Sequence, residues 1–173
     1  MKNKGFTLIE LLVIIIILGL LLLIAIPSVT TIINNSKKET YIDTIHEILK
    51  GAKHTINDNK MSLYDMTTSY YFPITAFSNE NGNASSPYGK IDEAYVVITY
   101  DGNNQVYYYV GKDAQNFGVA KPVKSDMITK ASISDKVSSV STSIGIGNRD
   151  NIIVYNDDFS VKEEKTATDH VNN

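Results

Sequence analysis

The sequence predicts an α+β fold, in which one long N-terminal α-helix packs on an antiparallel β-sheet of about four strands. Three patterns support this fold. An apolar run extends from Leu11 to Ile26, apolar residues then recur every three or four positions to about Asn57, and later β-branched and aromatic runs flank turn sequences. The 173 residues are enough for this helix and for one globular domain.

The first part of the helix, 6–27, has the length and composition of a membrane span. Phe6 to Ile26 is about 21 residues, or about 31 Å of helix, which matches the hydrocarbon thickness of a bilayer. Glu10 is the only charged residue between Phe6 and Ser36. Because an acidic side chain at membrane depth is costly, we expect Glu10 to have a function and a charged partner outside this segment.

Glu10 also has a simpler explanation. Thr7-Leu8-Ile9-Glu10 has the spacing of a capping box, in which the Thr and Glu side chains bond the free backbone amides at a helix start. The sequence therefore leaves two roles open for this carboxylate: a helix cap, or one half of a charge pair.

The leader that precedes the span, 1–5, indicates proteolytic processing. It is basic and ends in Gly5, a small residue before the bulky Phe6, as a peptidase site on the cytoplasmic side of the membrane requires. Ordinary signal-peptide cleavage would fall after the apolar run instead, and Ala25-Ile26-Pro27-Ser28 matches the required small-residue site poorly.

The second part of the helix, 28–60, is amphipathic, with charged residues between its apolar positions. Those apolar positions are Ile32, Ile33, Ile42, Ile45, Leu49, Ala52 and Ile56. Two residues weaken the combined helix. Pro27 removes a backbone hydrogen bond, and Gly19 costs about 1 kcal/mol relative to Ala. We expect the helix to melt most easily between them.

The stretch 61–92 is rich in Asn, Ser and Gly, and we expect an ordered connecting loop. Aromatic residues within it argue against disorder, because they give the loop apolar area to bury. These residues are Tyr70, Tyr71, Phe72 and Phe77.

The β-sheet region is predicted over 93–163. Ala94–Tyr100 and Gln105–Gly111 flank a turn and form one hairpin, while Ile152–Tyr155 and Phe159–Glu163 form a second. The chain between the hairpins is ambiguous, and Asp126–Val140 could form a short helix.

Two further expectations concern this region. Tyr107, Tyr108 and Tyr109 are consecutive, so we expect at least one ring to be exposed. The end of the chain, 164–173, is predicted to be a polar, frayed tail.

Composition excludes several classes of function. The net charge of −3 gives no basic surface for nucleic acid, so nucleic acid is not expected as a main partner. The three histidines do not have the spacing of a zinc peptidase site, and the Asp/Asn clusters at 101–104 and 156–158 read as turns rather than calcium loops. We therefore expect no catalytic residues, no metal site, no cofactor and no enzyme activity.

The N-terminus, Gly5-Phe6-Thr7-Leu8-Ile9-Glu10 with Gly19 in mid-span and Pro27 at its end, resembles that of type IV prepilins. The resemblance implies a pilin fold, cleavage after Gly5 by a prepilin peptidase, and methylation of the new N-terminal residue, Phe6. It also implies that Glu10 pairs with the amine of a neighbouring subunit during assembly. Many Gram-negative pilins carry a disulfide, and the absence of Cys favours a Gram-positive source.

The resemblance also implies a function and a location. The chain would be the structural subunit, the major pilin, of a type IV pilus that serves adhesion or twitching or gliding motility. It would begin as a single-pass precursor in the cytoplasmic membrane and end in a surface filament. Its partners would be copies of itself, the prepilin peptidase, the assembly machinery and an unidentified host or surface ligand.

Two alternatives remain open. A minor pilin or a pseudopilin of a secretion or competence system would share this N-terminus. A single-pass anchored binding domain, which is a different class of protein, would keep residues 1–5 as an uncleaved anchor.

Overall fold

The computed structural model describes residues 5–58, 63, 65, 67–77, 85–86, 89–141 and 151–165. The leader before Gly5 and most of the tail, including His170, lie outside the described residues. The chain forms two compact units, Met1–Lys37 and Lys38–Asn173, and α1 (Leu8–Asp58) contributes residues to both.

The strands of the second unit form one mixed sheet. They are β1 (Thr68–Pro73), β2 (Ser85–Ser86), β3 (Gly89–Asp101), β4 (Asn104–Asp113), β5 (Gly118–Lys124), β6 (Asn151–Tyr155) and β7 (Val161–Lys165). The sheet order is β5-β4-β3-β1-β6-β7, with β2 paired to β3. All strand pairs are antiparallel except β1 with β6, which is parallel.

This architecture confirms the predicted α+β, pilin-like fold with a long N-terminal helix. The predicted sheet of about four antiparallel strands was too small, because the described residues form seven strands and one parallel pair. Both predicted hairpins are present as β3–β4 and β6–β7. The possible helix at Asp126–Val140 is replaced by two short 3₁₀ turns, Ser125–Met127 and Lys130–Ser132.

The stretch 61–92, expected to be a connecting loop, contains β1, a strand inside the sheet. Its aromatic side chains alternate between the two sheet faces: Tyr70 and Phe72 join the core under the helix, and Tyr71 joins the core on the opposite face. Phe72 also stacks on Tyr155 of β6, with ring centroids 4.3 Å apart. The aromatic residues that argued against disorder are therefore strand residues.

The C-terminal part of α1 packs on the sheet through one face. Its buried residues are Tyr41, Ile45, Leu49, Ala52 and Ile56. Their spacing of three or four keeps them on one side of the helix. Ile32 and Ile33, predicted to belong to the same apolar face, are exposed and lie in the first unit.

A buried tyrosine pair links the helix to the sheet. The hydroxyl oxygens of Tyr41 and Tyr109 are 3.0 Å apart, and Tyr41 donates to the Gly111 carbonyl at 3.4 Å. The ring of Tyr41 also meets the ring of Phe117 edge-on, with centroids 5.4 Å apart. Burial raises the pKa of Tyr41 to about 12 and raises that of Tyr109 well above its usual value.

The expectation that one ring of Tyr107–Tyr109 is exposed was wrong. Tyr107 and Tyr109 are buried under the helix, and Tyr108 is half-buried on the opposite face of the sheet. That face has its own core, to which Val97, Val110 and Val140 belong. Each face of the sheet carries a hydrophobic core. The alternation of side chains along a single strand does not predict this.

The segment 125–141 contacts both the helix and the β4–β5 end of the sheet. Lys38 of α1 donates to the Ile133 carbonyl at 3.0 Å, and Lys130 forms an ion pair with Glu39. On the sheet side, Gly118 and Ser134 exchange two backbone bonds of 2.9 and 2.8 Å. A Cβ on Gly118 would lie 2.1 Å from the Gly111 carbonyl oxygen, so this close approach requires glycine.

We predict that Tyr41→Phe destabilises the domain by about 1 to 3 kcal/mol, because the buried Tyr109 hydroxyl and the Gly111 carbonyl lose a hydrogen-bond partner. Tyr108→Phe is the matched control: within the described part of the chain its hydroxyl makes no hydrogen bond, and we expect a change below about 0.5 kcal/mol. Urea unfolding of the detergent-solubilised chain, followed by circular dichroism, measures both. Equal effects would contradict this role of the tyrosine pair.

We also predict that the domain loses stability as the pH rises above about 10, the pKa of an unfolded tyrosine. Burial raises the pKa of Tyr41 and of Tyr107 to about 12, so the folded state holds protons that the unfolded state releases. Stability is fully present below pH 10 and falls toward pH 12. Urea midpoints at about pH 8, 10 and 11 test this. An unchanged midpoint would contradict it.

Candidate functional site

The candidate site is the start of α1, where Gly5, Phe6 and Thr7 precede the first helical residue, Leu8. The Thr7 carbonyl accepts the first helical hydrogen bond, from the Leu11 amide at 3.2 Å. Thr7 is therefore the N-cap residue, and the third helical residue is Glu10.

Thr7 and Glu10 form a complete capping box. The Thr7 amide donates to Glu10 Oε2 at 2.7 Å, and the Glu10 amide donates to Thr7 Oγ1 at 3.3 Å. The Thr7 hydroxyl adds a third bond by donating to the same Oε2 at 2.8 Å. The first of the two roles left open by the sequence is thus realised within one chain.

The cap leaves part of the carboxylate available. All the bonds from Thr7 end on Oε2, and within the described residues Glu10 Oε1 accepts no hydrogen bond. An ionised carboxylate offers about four acceptor positions on its two oxygens. Glu10 can therefore cap its own helix and accept a hydrogen bond from a second chain at the same time, so the two roles do not exclude each other.

The surface around Glu10 is apolar and open. Phe6, Ile9, Val13 and Ile14 border a groove on the helix surface together with Glu10. Phe6 itself is 81% exposed. Once lipid or another chain covers these side chains, an amine at Glu10 is out of water, where a charge-assisted hydrogen bond is strong.

The helix beyond Glu10 presents apolar side chains on every side. From Leu8 to Ile33 its Leu, Ile and Val residues are all exposed, from 44% at Ile14 to 83% at Leu8. By length and composition, α1 is the one helix in the described part of the chain that can cross a membrane. A helix that is apolar all round is typical of a membrane span or of a buried core.

Gly19 and Pro27, the predicted sites of helix flexibility, lie within the continuous helix. A Cβ on Gly19 would meet no described atom within 4 Å, so packing within the chain does not require glycine there. After Pro27, Thr30 and Thr31 donate their hydroxyls to the carbonyls of Ile26 and Pro27, at 3.0 and 3.1 Å. The flexibility of the segment stays a prediction.

Elsewhere the described residues show structural uses for the polar groups considered as ligands. His54 pairs with Asp58 at 2.8 Å on the exposed helix face. Asp157 accepts from Thr75 at 2.6 Å, and Asp158 accepts from the Ser160 amide and hydroxyl in the β6–β7 turn. Within the described part of the chain no three His, Asp or Glu residues are grouped as metal ligands.

Thr7 belongs to the site, but it was not among the residues that the sequence predicted for cleavage, assembly or helix flexibility. The Thr-x-x-Glu spacing is the signal for it. Its hydroxyl fixes one carboxylate oxygen of Glu10, so Thr7 orients the side chain to which the assembly role was assigned.

Residues 1–26 match the family model of the prokaryotic N-terminal methylation motif, the class III signal peptide of type IV pilins. The match identifies the N-terminus as that of a type IV pilin-like prepilin. The match covers 26 of the 173 residues and supports a prepilin-type N-terminus, of the kind that a prepilin peptidase processes. No curated protein and no solved structure matches the chain significantly.

We predict that Glu10→Gln lowers filament yield by about tenfold or more while leaving the helix cap intact, because Gln also serves in a capping box but cannot balance an amine in apolar surroundings. Thr7→Val removes the cap hydroxyl and keeps the charge of Glu10, so we expect a smaller loss of yield, because the carboxylate loses only part of its orientation. Electron microscopy of sheared filaments measures yield. The pairing role is wrong if Glu10→Gln gives normal filaments, or if Thr7→Val reduces them equally.

Proposed function

We propose that this chain is the structural subunit, the major pilin, of a type IV pilus that serves adhesion or twitching or gliding motility. The observation that carries the proposal is the exposed apolar segment of α1 from Leu8 to Ile33, whose one charged residue is Glu10 and most of which lies within the matched methylation motif. Such a surface is stable in a membrane and, after assembly, among the helices of other subunits.

The proposed maturation begins in the cytoplasmic membrane. A prepilin peptidase hydrolyses the peptide bond between Gly5 and Phe6, so that water adds across the bond, the leader leaves with a new carboxylate and Phe6 gains an α-amino group. Methylation of that nitrogen follows: a sulfonium methyl donor transfers its methyl group to the amine, the donor leaves as a thioether, and the nitrogen loses one proton. The new cation lies four positions before Glu10, at the edge of the apolar segment.

During assembly, we propose that the Phe6 amine of one subunit pairs with Glu10 of its neighbour. The cap holds Oε2 in place, so the incoming amine meets an oriented acceptor at Oε1. The subunit that accepts the amine keeps the capping bonds at the start of its own helix. Desolvation offsets much of the attraction between buried charges, so the pair selects the register of two subunits more than it adds stability.

Helix flexibility between Gly19 and Pro27 belongs to the same proposal. Pro27 lacks an amide hydrogen, so the carbonyl four residues earlier has no helical donor. If the segment melts when subunits pack, Pro27 becomes the first residue of the following helix, a position that proline favours.

The experiment that tests the proposal combines imaging with intact mass. We expect an antibody to the second unit to decorate surface filaments along their length. Membrane-extracted subunit should lack residues 1–5 and carry one added methyl group. A full-length chain without filaments would instead support the anchored binding domain, and labelling limited to filament ends would support a minor pilin.

We predict that Gly5→Leu blocks maturation and leaves full-length precursor in the membrane. A Cβ on Gly5 meets no described atom within 4 Å, so the side chain disturbs peptidase recognition rather than the fold. Gly5→Ala is the matched control, because it stays small, and we expect most of it to be cleaved. Mass spectrometry of the membrane fraction measures both, and efficient cleavage of Gly5→Leu would contradict this cleavage site.

A further inference from the structure

The exposed apolar surface of α1 continues past Pro27, but on one side of the helix only. Four residues form this continuation, called the apolar stripe below: Ile26, Val29, Ile32 and Ile33. They are between 47% and 64% exposed, and at about 100° per residue they fall within an arc of about 120°. The opposite arc carries polar side chains, which are Ser28, Thr31, Asn34 and Asn35.

The apolar stripe is not part of either hydrophobic core. It lies in the first unit, and the described residues of that unit contribute to neither core of the sheet. The stripe instead continues the apolar surface that begins at Leu8. A molecule that covers the span therefore meets no polar boundary along this side of the helix before Ile33.

Two hydroxyl groups beside the stripe do not require water. Thr30 donates to the Ile26 carbonyl at 3.0 Å, and Thr31 donates to the Pro27 carbonyl at 3.1 Å. Such bonds within one helix satisfy donors that would otherwise be costly in lipid. The turn after Pro27 can therefore enter the edge of an acyl layer with both of these donors bonded.

The boundary between apolar and polar side chains runs obliquely across the helix. On the polar side it lies before Ser28, whereas on the stripe it lies after Ile33. These positions differ by about 8 Å along the axis, on opposite sides of a helix about 10 Å wide. A flat membrane surface follows this boundary when the helix is tilted by roughly 35°, which is within the range of membrane spans.

We propose that the apolar stripe contacts membrane lipid, and that α1 crosses the bilayer at a tilt that lowers this side of the helix into the acyl layer. The length of the apolar surface supports the same tilt. Leu8 to Ile33 measures about 39 Å along the axis, which exceeds the hydrocarbon thickness of about 30 Å. A tilt of roughly 35° reduces the span to about 32 Å along the membrane normal.

This inference goes beyond the proposed function, because it describes the chain in the membrane and holds whether or not the chain later polymerises. It also gives the stripe one partner, the lipid that already surrounds the span. Burial of the three side chains after Pro27 in lipid is favourable, since their apolar area leaves water.

Spin labels on single cysteines test the tilt, because the natural chain has no cysteine of its own. The full-length chain is placed in phosphatidylcholine and phosphatidylglycerol vesicles at large lipid excess. Depth is measured from collisions with oxygen and with a water-soluble nickel chelate. We expect the label of Ile33→Cys to lie about 2 to 3 Å deeper than that of Thr31→Cys, whereas in an upright helix it would lie about 3 Å shallower. Val29→Cys should likewise be deeper than Ser28→Cys.

A second variant separates the stripe from other causes of tilt. Ile32→Asn with Ile33→Asn removes half of the stripe, and we expect it to abolish the reversed depth order of the labels at positions 28 and 29. The matched control is Asn34→Gln with Asn35→Gln, which changes two exposed residues on the polar side and should keep that order. Equal loss in both variants would overturn the role of the stripe.

Labels at Leu18 and Lys50, both exposed in the structure, mark the acyl layer and the water. If the Leu18 label is shielded but depth decreases steadily from position 28 to 33, the inference alone is overturned. A Leu18 label in water would also reject the membrane stage of the proposed function. If the reversed order disappears when the lipid excess is raised further, the stripe contacts a second copy, and the lipid contact is overturned.

Discussion

The structure depends on one constraint: the apolar side chains of the first unit, from Leu8 to Ile33, have no partner within that unit. Exposed apolar area on this scale is unstable in water, so the segment must always be covered by another molecule. Under the proposed function, lipid covers it in the membrane, and the same segments of other copies cover it in a polymer. The chain can therefore change partners without exposing this surface, which is what a subunit that leaves a membrane for a filament requires.

Glu10 is the exception on that surface, and the structure shows how it is accommodated. The capping box satisfies helix amides that would otherwise lack acceptors at the edge of the apolar layer. It also fixes one carboxylate oxygen and leaves the other available within the described residues. A polar group that is useful to its own helix is easier to retain in an apolar segment than one that waits unpaired for a neighbour.

The capping box was predictable because its signal is local. The cap and the cleavage junction lie within a few residues of each other, and the helix and both hairpins follow from short periodic patterns. The rest of the sheet was not predictable in this way. Strand β1 lies in a polar, turn-rich stretch, and its parallel partner β6 is distant in sequence. Strand β5 contains Pro122, which argues against a central strand but is tolerated in β5 because that strand is at the sheet edge.

Apolar helices associate readily, but they specify register weakly, because one Leu or Ile side chain packs almost as well as the next along a uniform surface. A filament requires every subunit to be offset from its neighbour by the same distance. In the proposed polymer, the groups that can set that distance are the Phe6 amine and Glu10 at the start of the helix. Each gains little net energy when paired and loses much when misaligned. Apolar area thus supplies the association, and a few charges select one offset from many of similar energy.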